Sequence, residues 1–145
     1  MKIKEIIYDS EEYKEFINFR YTNLRKPLGL NWTKEDLFDE DKQIHIALIH
    51  KKSIIGSCVL KIFDKKTLRL RQMAVAKEFQ YKGYGKKLIQ YSESYAKRNN
   101  FKKIIIIARL SAQNFYSKFE YKKVGKKFID VTVESIKMVK NLNNG

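Results

Sequence analysis

The stretch from Leu68 to Arg98 limits the possible folds more than any other part of the chain. Leu68-Arg-Leu-Arg-Gln-Met-Ala-Val75 reads as a strand, the segment ending at Arg98 reads as a helix, and Gln80-Tyr-Lys-Gly83-Tyr-Gly85-Lys86 lies between them. Two glycines one residue apart therefore sit where a strand hands over to a helix. Glycine there lets the backbone turn sharply and approach a ligand, so that free amide N–H groups can surround an anion. A helix N-terminus carries roughly half a positive charge and favours Asp or Glu in its first turn. This one holds Lys86 and Lys87, with Lys82 just before. Each cation should cost about 0.3–1 kcal/mol there unless something negative fills the space. The segment is expected to bind an anion such as a phosphate group.

At 145 residues the chain suits one domain, 1–145, with a single core. Its 43% hydrophobic and 13% aromatic content place it among folded globules rather than disordered chains. No apolar run approaches the roughly 18 residues that cross a bilayer, so no membrane partner is expected. Met1-Lys-Ile-Lys-Glu-Ile-Ile intersperses charge with apolar residues and has no small-residue cleavage site, so a signal peptide is not expected. Cys58 is the only cysteine and cannot form an internal disulfide, which suits a reducing, cytoplasmic setting. The net charge of +15 attracts polyanions, whether nucleic acid, acidic membrane or a phosphate-rich cofactor. Lysines scattered through every segment also fit a merely soluble surface. Charge alone identifies no partner.

Along the chain, Ile3 to Tyr8 reads as a first strand. Ser10 is a candidate N-cap ahead of a helix with Tyr13, Phe16, Ile17, Arg20, Tyr21 and Leu24 at helical spacing, stopped by Pro27 and Gly29. Residues 31–42 read as a loop holding an acid cluster, Glu35, Asp36, Asp39, Glu40 and Asp41. Runs at 44–49, 54–63 and 67–75, joined by charged turns, predict an antiparallel meander. Leu88, Ser92, Tyr95 and Ala96 put one face of the following helix on the core. Lys102 to Ala108, with four consecutive isoleucines, reads as a strand buried on both faces. Ala112, Phe115, Tyr116 and Phe119 follow a helical stripe, and strands at about 122–128 and 135–139 complete the chain. The fold class expected is α/β (α+β): a mixed, mostly antiparallel sheet of six to seven strands flanked by helices.

That order, with a glycine loop after the fourth strand, resembles the GNAT superfamily of N-acetyltransferases. Gln80, Gly83 and Gly85 match the family's Arg/Gln-x-x-Gly-x-Gly/Ala, and Asn114-Phe-Tyr116-Ser-Lys-Phe-Glu-Tyr121 is similar to its Asn-x-x-Phe-Tyr-x-Lys-x-Gly-Phe/Tyr helix end. Competing glycine motifs fail: a P-loop needs Ser or Thr after Lys86, where Lys87 stands, and a dinucleotide fingerprint needs glycine where Leu88 stands. Two departures matter. Glu120 occupies the position of the family's glycine, so a looser turn before Tyr121 is expected. Relatives sharing Leu24-Arg25-Lys26-Pro27-Leu28-Gly29 often carry a late His, where this chain has Ser135.

The resemblance implies acetyl-CoA as acyl donor, with no metal, and a primary amine as acceptor. Its pyrophosphate would sit on the amides of Tyr81, Lys82, Gly83, Tyr84, Gly85 and Lys86, with Gln80 bonding it or holding the loop. Met73, Ala74 and Val75 would line the pantetheine arm on a strand splayed from its neighbour, the Val75 amide polarising the thioester carbonyl. Tyr116 would return a proton to the departing thiolate. A phenol near pKa 10 and a thiol near 8.5 make that transfer uphill by roughly 2 kcal/mol, small beside a catalytic barrier. Tyr116 is equally a stripe residue of the core, and Asn114 either reaches the cofactor or caps the surface. Neither Glu78 nor His45 is assigned as base. The acid cluster has two readings, an attractor for a cationic amine and a solvated loop. Two alternatives to an enzyme stand beside this: a nucleic-acid-binding module acting through non-specific charge, and a silent CoA-binding relative. A homodimer is compatible with all three.

Overall fold

The computed structural model describes residues 1–33 and 36–142. Their strands and helices run β1 (Lys2–Ile6), α1 (Glu11–Arg20), β2 (Ile44–His50), β3 (Ser53–Asp64), β4 (Thr67–Val75), α2 (Tyr84–Arg98), β5 (Lys103–Arg109), α3 (Gln113–Ser117), β6 (Lys122–Asp130) and β7 (Val133–Asn141). The strands form a seven-stranded sheet in the order β1-β2-β3-β4-β5-β7-β6. β4 and β5 run parallel, while β1–β2, β2–β3, β5–β7 and β6–β7 are antiparallel. The sheet is mixed, as the sequence predicts. A parallel pair needs a crossover of a dozen or more residues, and α2 supplies it. Two compact units emerge: Met1–Lys61 with Gln72–Ser92, and Ile62–Arg71 with the described residues from Glu93 onward.

In the first unit, Ser10 caps α1 by accepting a bond from the Tyr13 N–H at 3.1 Å. Ile6, Phe16, Ala47 and Val59 form a buried cluster, with Tyr13, Ile49 and Ile54 packed against it. Gly56 sits where a Cβ would come within 3.1 Å of Leu48 Cβ and 3.3 Å of Leu88 Cδ1, so glycine is what lets α2 seat against the strands. Cys58 is fully buried, and burial pushes its thiol up to about 12, which makes it an inert core residue. The first helix differs from expectation at its end. It passes into a π turn, Tyr21–Arg25, then a 3-10 turn, Lys26–Leu28, closed by Gly29 at φ 71°. An i→i+5 turn brings residues five apart to one side. Arg20, the last residue of α1, and Arg25, the last of the π turn, are both buried.

In the second unit, Ile104, Ile105 and Ile106 of β5 are buried between ladders to β4 and β7. The parallel ladder spans Thr67↔Lys103 to Leu70↔Ile106. α3 is shorter than the aromatic spacing suggests, because a 3-10 turn, Leu110–Ala112, precedes it and a left-handed residue ends it. That residue is Glu120, at φ 72°. The Tyr121 N–H donates to the Tyr116 carbonyl at 3.2 Å and the Glu120 N–H to the Ser117 carbonyl at 3.1 Å, the paired bonds of a Schellman stop. Tyr116 and Tyr121 supply its usual apolar contact, with ring centroids 6.1 Å apart. The turn thus closes in full without glycine, contrary to the looser turn expected, and the strain falls on Glu120. Replacing Glu120 with Gly should raise unfolding stability by roughly 0.5–1 kcal/mol in urea titration; a loss of stability would show that the side chain itself holds the turn.

Candidate functional site

The glycine loop is built from its two ends. After Val75 the chain is pinned by the Ala76 N–H, which donates to the Ile55 carbonyl at 2.8 Å, and it then makes a 3-10 turn, Lys77–Phe79. Gln80 Nε2 donates to the Val75 carbonyl at 2.9 Å, so of its two expected roles the geometry displays the loop-holding one. Tyr81 and Gly83 are left-handed, at φ 62° and 85°, and the Tyr81 side chain is fully exposed. The first helical bond of α2 runs from the Lys87 N–H to the Gly83 carbonyl, at 3.3 Å. The N–H groups of Tyr84, Gly85 and Lys86 precede it and so lack intrahelical acceptors. Gly85 thus belongs to the helix, and only Gly83 makes the turn.

No acidic side chain stands in that first turn. A Cβ placed on Gly83 would meet nothing within 4 Å, so the space beside Gly83 is open. Lys82, Lys86 and Lys87 are exposed around it. Lys82 Nζ lies 5.8 Å from the Phe79 ring and Lys87 Nζ 5.8 Å from the Tyr84 ring, so both cations rest on aromatic faces. Amides without intrahelical acceptors, a helix N-terminus and lysines with no acid in that first turn suit a diphosphate.

Just upstream, β4 changes hand. Gln72 has φ 54°, a conformation that costs a non-glycine residue about 1–3 kcal/mol and persists only when its surroundings impose it. Ser57 Oγ donates to the Gln72 carbonyl at 2.9 Å, and Arg20 Nε donates to Gln72 Oε1 at 3.2 Å. Half-buried Met73, Ala74 and Val75 follow directly.

Arg20 is itself fixed by a buried ion pair. Its two terminal nitrogens donate to Glu40 Oε1 and Oε2 at 2.7 and 3.2 Å, and its guanidinium lies 5.5 Å from the Phe16 ring and 5.3 Å from the Trp32 ring. Tyr13 donates its hydroxyl to Glu40 Oε1 at 2.8 Å, and His45 Nε2 donates to the Glu40 carbonyl at 2.7 Å. Burial and the adjacent carboxylate push the Tyr13 phenol well above its ordinary value. Burial alone would raise the Glu40 carboxyl, but the bonds and charge of Arg20, with the Tyr13 hydroxyl, outweigh it and hold it below the usual range.

The family model for the acetyltransferase (GNAT) family matches residues 5–121. The chain belongs to that family. It is 25% identical over 94 residues to an uncharacterized N-acetyltransferase of Chlorobaculum tepidum, covering 65% of this chain and 59% of that protein, so it spans about three fifths of that relative's length. A Lactobacillus plantarum crystal structure superposes with a TM-score of 0.85 at 20% identity, covering 99% of this chain and 100% of that one. A GNAT family acetyltransferase from Elizabethkingia anophelis with acetyl-CoA bound superposes with a TM-score of 0.72 at 20% identity, covering 97% of each chain. At these identities the structural likeness is one of fold.

Within this GNAT fold, Met73–Val75 and the loop from Gln80 to Lys86 lie in the first unit, and Asn114 and Tyr116 in the second. Tyr116 is buried on α3, its ring 5.1 Å from that of Phe115. Asn114 is exposed, and its carbonyl accepts the Lys118 N–H at 3.2 Å. Glu78 is exposed in the turn before the loop, and His45 is a buried partner of Glu40. The acid cluster divides. Asp36 pairs with Arg25 at 3.2 Å and accepts the Thr33 N–H at 2.9 Å, Glu40 is interior, Asp39 and Asp41 stay nearer the surface, and Glu35 lies outside the described residues. Two of these acids therefore hold the fold rather than forming one solvated cluster. Sequence reasoning missed Arg20, Glu40 and Gln72; the available signal was an arginine on an apolar helical stripe followed by a surplus of acids.

The folded carboxyl of Glu40 titrates below its unfolded value near 4.3. Its stabilisation is therefore complete above that value and drains away as pH falls through the folded pKa. Glu40→Gln should flatten that acid limb in pH-dependent denaturation, and Glu40→Ala should cost about 3–5 kcal/mol at neutral pH by stranding Arg20. An unchanged limb in Glu40→Gln would show that this carboxylate is not the acid-sensitive support.

Proposed function

We propose that this GNAT protein is an N-acetyltransferase that moves the acetyl group of acetyl-CoA to a primary amine by direct attack on the thioester. The observation that carries the reading is the first turn of α2: amides without intrahelical acceptors, an open approach at Gly83, and three lysines with no acid among them. The diphosphate of CoA would neutralise that charge, with Tyr81 to Lys86 supplying amides and Gln80 keeping the loop on Val75. Met73, Ala74 and Val75 would carry the pantetheine arm, and the Val75 amide would steady the oxyanion that forms as the amine adds to the carbonyl carbon.

In that step the amine nitrogen bonds to the acetyl carbon, the intermediate expels the CoA thiolate, and the amine proton leaves to water. Tyr116 would donate its hydroxyl proton to the thiolate, and Asn114 would contact the donor from the exposed side of its helix. The acetyl-CoA bound to the Elizabethkingia anophelis structure supports the choice of donor. Small molecule, peptide and protein amines are all compatible with this chemistry.

Thermal denaturation with acetyl-CoA, CoA and ATP tests the donor. The two CoA species at 100 times their dissociation constant should stabilise the protein by about 2.7 kcal/mol, with ATP far behind. Equal shifts for all three would reduce the loop to a general anion site. Tyr116→Phe should then lower kcat by about 100-fold or more while leaving CoA affinity intact; an unaltered kcat would return Tyr116 to the core.

A further inference from the structure

The conformation of β4 at Gln72 is imposed from outside the strand. Gln72 is left-handed, and its side-chain oxygen and main-chain carbonyl are each held by another element: Arg20 Nε of α1 on Oε1 at 3.2 Å, and Ser57 Oγ of β3 on the carbonyl at 2.9 Å. Arg20 cannot follow Gln72 if the strand relaxes. Its terminal nitrogens are committed to both oxygens of Glu40, its guanidinium is enclosed by the rings of Phe16 and Trp32, and its side chain has no exposed surface. Glu40 is pinned in turn by the Tyr13 hydroxyl. The chain of contacts ends one residue before Met73.

We propose that Gln72, clamped by Arg20, is a positioning residue for the acyl donor: it sets the direction in which the main-chain groups of Met73, Ala74 and Val75 point. This rests on the reading that acetyl-CoA lays its pantetheine arm on that segment and its diphosphate on the glycine loop. Gln72 touches neither substrate nor reacting atoms in this assignment and acts only through the backbone that follows it. Its amide must present oxygen toward Arg20, because Nε–H is a donor. Glutamine and glutamate satisfy that requirement, and a near-isosteric methionine does not.

The two halves of the donor separate the outcomes. Acetyl-CoA would contact both strand and loop, whereas adenosine 3′-phosphate 5′-diphosphate, its nucleotide half, would contact the loop alone. In calorimetric titration, Gln72→Met should weaken acetyl-CoA binding by about tenfold, the effect of stranding one buried donor, and leave the nucleotide within about twofold. Gln72→Glu should restore the acetyl-CoA affinity, and Ser57→Ala, which removes the second anchor, should repeat the split. Equal losses for both ligands in Gln72→Met, or none for either, would overturn the positioning role. Wild-type protein that binds neither ligand would instead overturn the donor assignment on which it rests.

Discussion

A left-handed glutamine inside a strand survives only if its neighbours cannot move, and the buried pair Arg20–Glu40 supplies that rigidity. Removing two charges from water is costly, and their attraction offsets the cost only when both are fully bonded. Here the carboxylate receives two guanidinium bonds and a phenol bond, and the third guanidinium contact falls on Gln72. Arg25, at the end of the π turn, is buried as Arg20 is, lies 5.1 Å from the Trp32 ring and pairs with Asp36. One irregular helix end therefore holds Asp36, Glu40 and the Gln72 end of β4 within the same unit.

The loop works by a different economy. A single glycine with positive φ starts α2, and two of the lysines around it, Lys82 and Lys87, rest on aromatic rings. Phe79 links these rings, lying 5.4 Å from His50 and 6.2 Å from Tyr84. Cations so placed raise the local potential at the start of α2. Membership of the acetyltransferase (GNAT) family rests on the match over residues 5–121, which contains this loop.

Strands, helices and the loop were readable because each writes its period or its glycine into consecutive residues. Ser10 announced α1, four isoleucines announced β5, and Gly83 marked the start of α2. What escaped reading depends on partners distant in sequence. Arg20 and Glu40 meet across 20 residues, and neither residue type betrays the other. Gln72 carries no conformational signature, since its backbone is set by Arg20 and Ser57. The end of α3 was misjudged for a related reason: its stop uses glutamate where glycine is customary, and backbone bonds, not residue type, reveal it. The roles of Tyr116 and Asn114 rest on family resemblance, not on any pattern that their helix shows.

Amide-resolved NMR during titration with acetyl-CoA addresses the central claim most directly. The account requires saturable shifts concentrated on the amides of Lys82 to Lys87 and on Met73 to Val75, with Gly83 among the largest. Saturable binding with those amides unmoved and the changes gathered elsewhere, for example along the exposed strand β6, would contradict it.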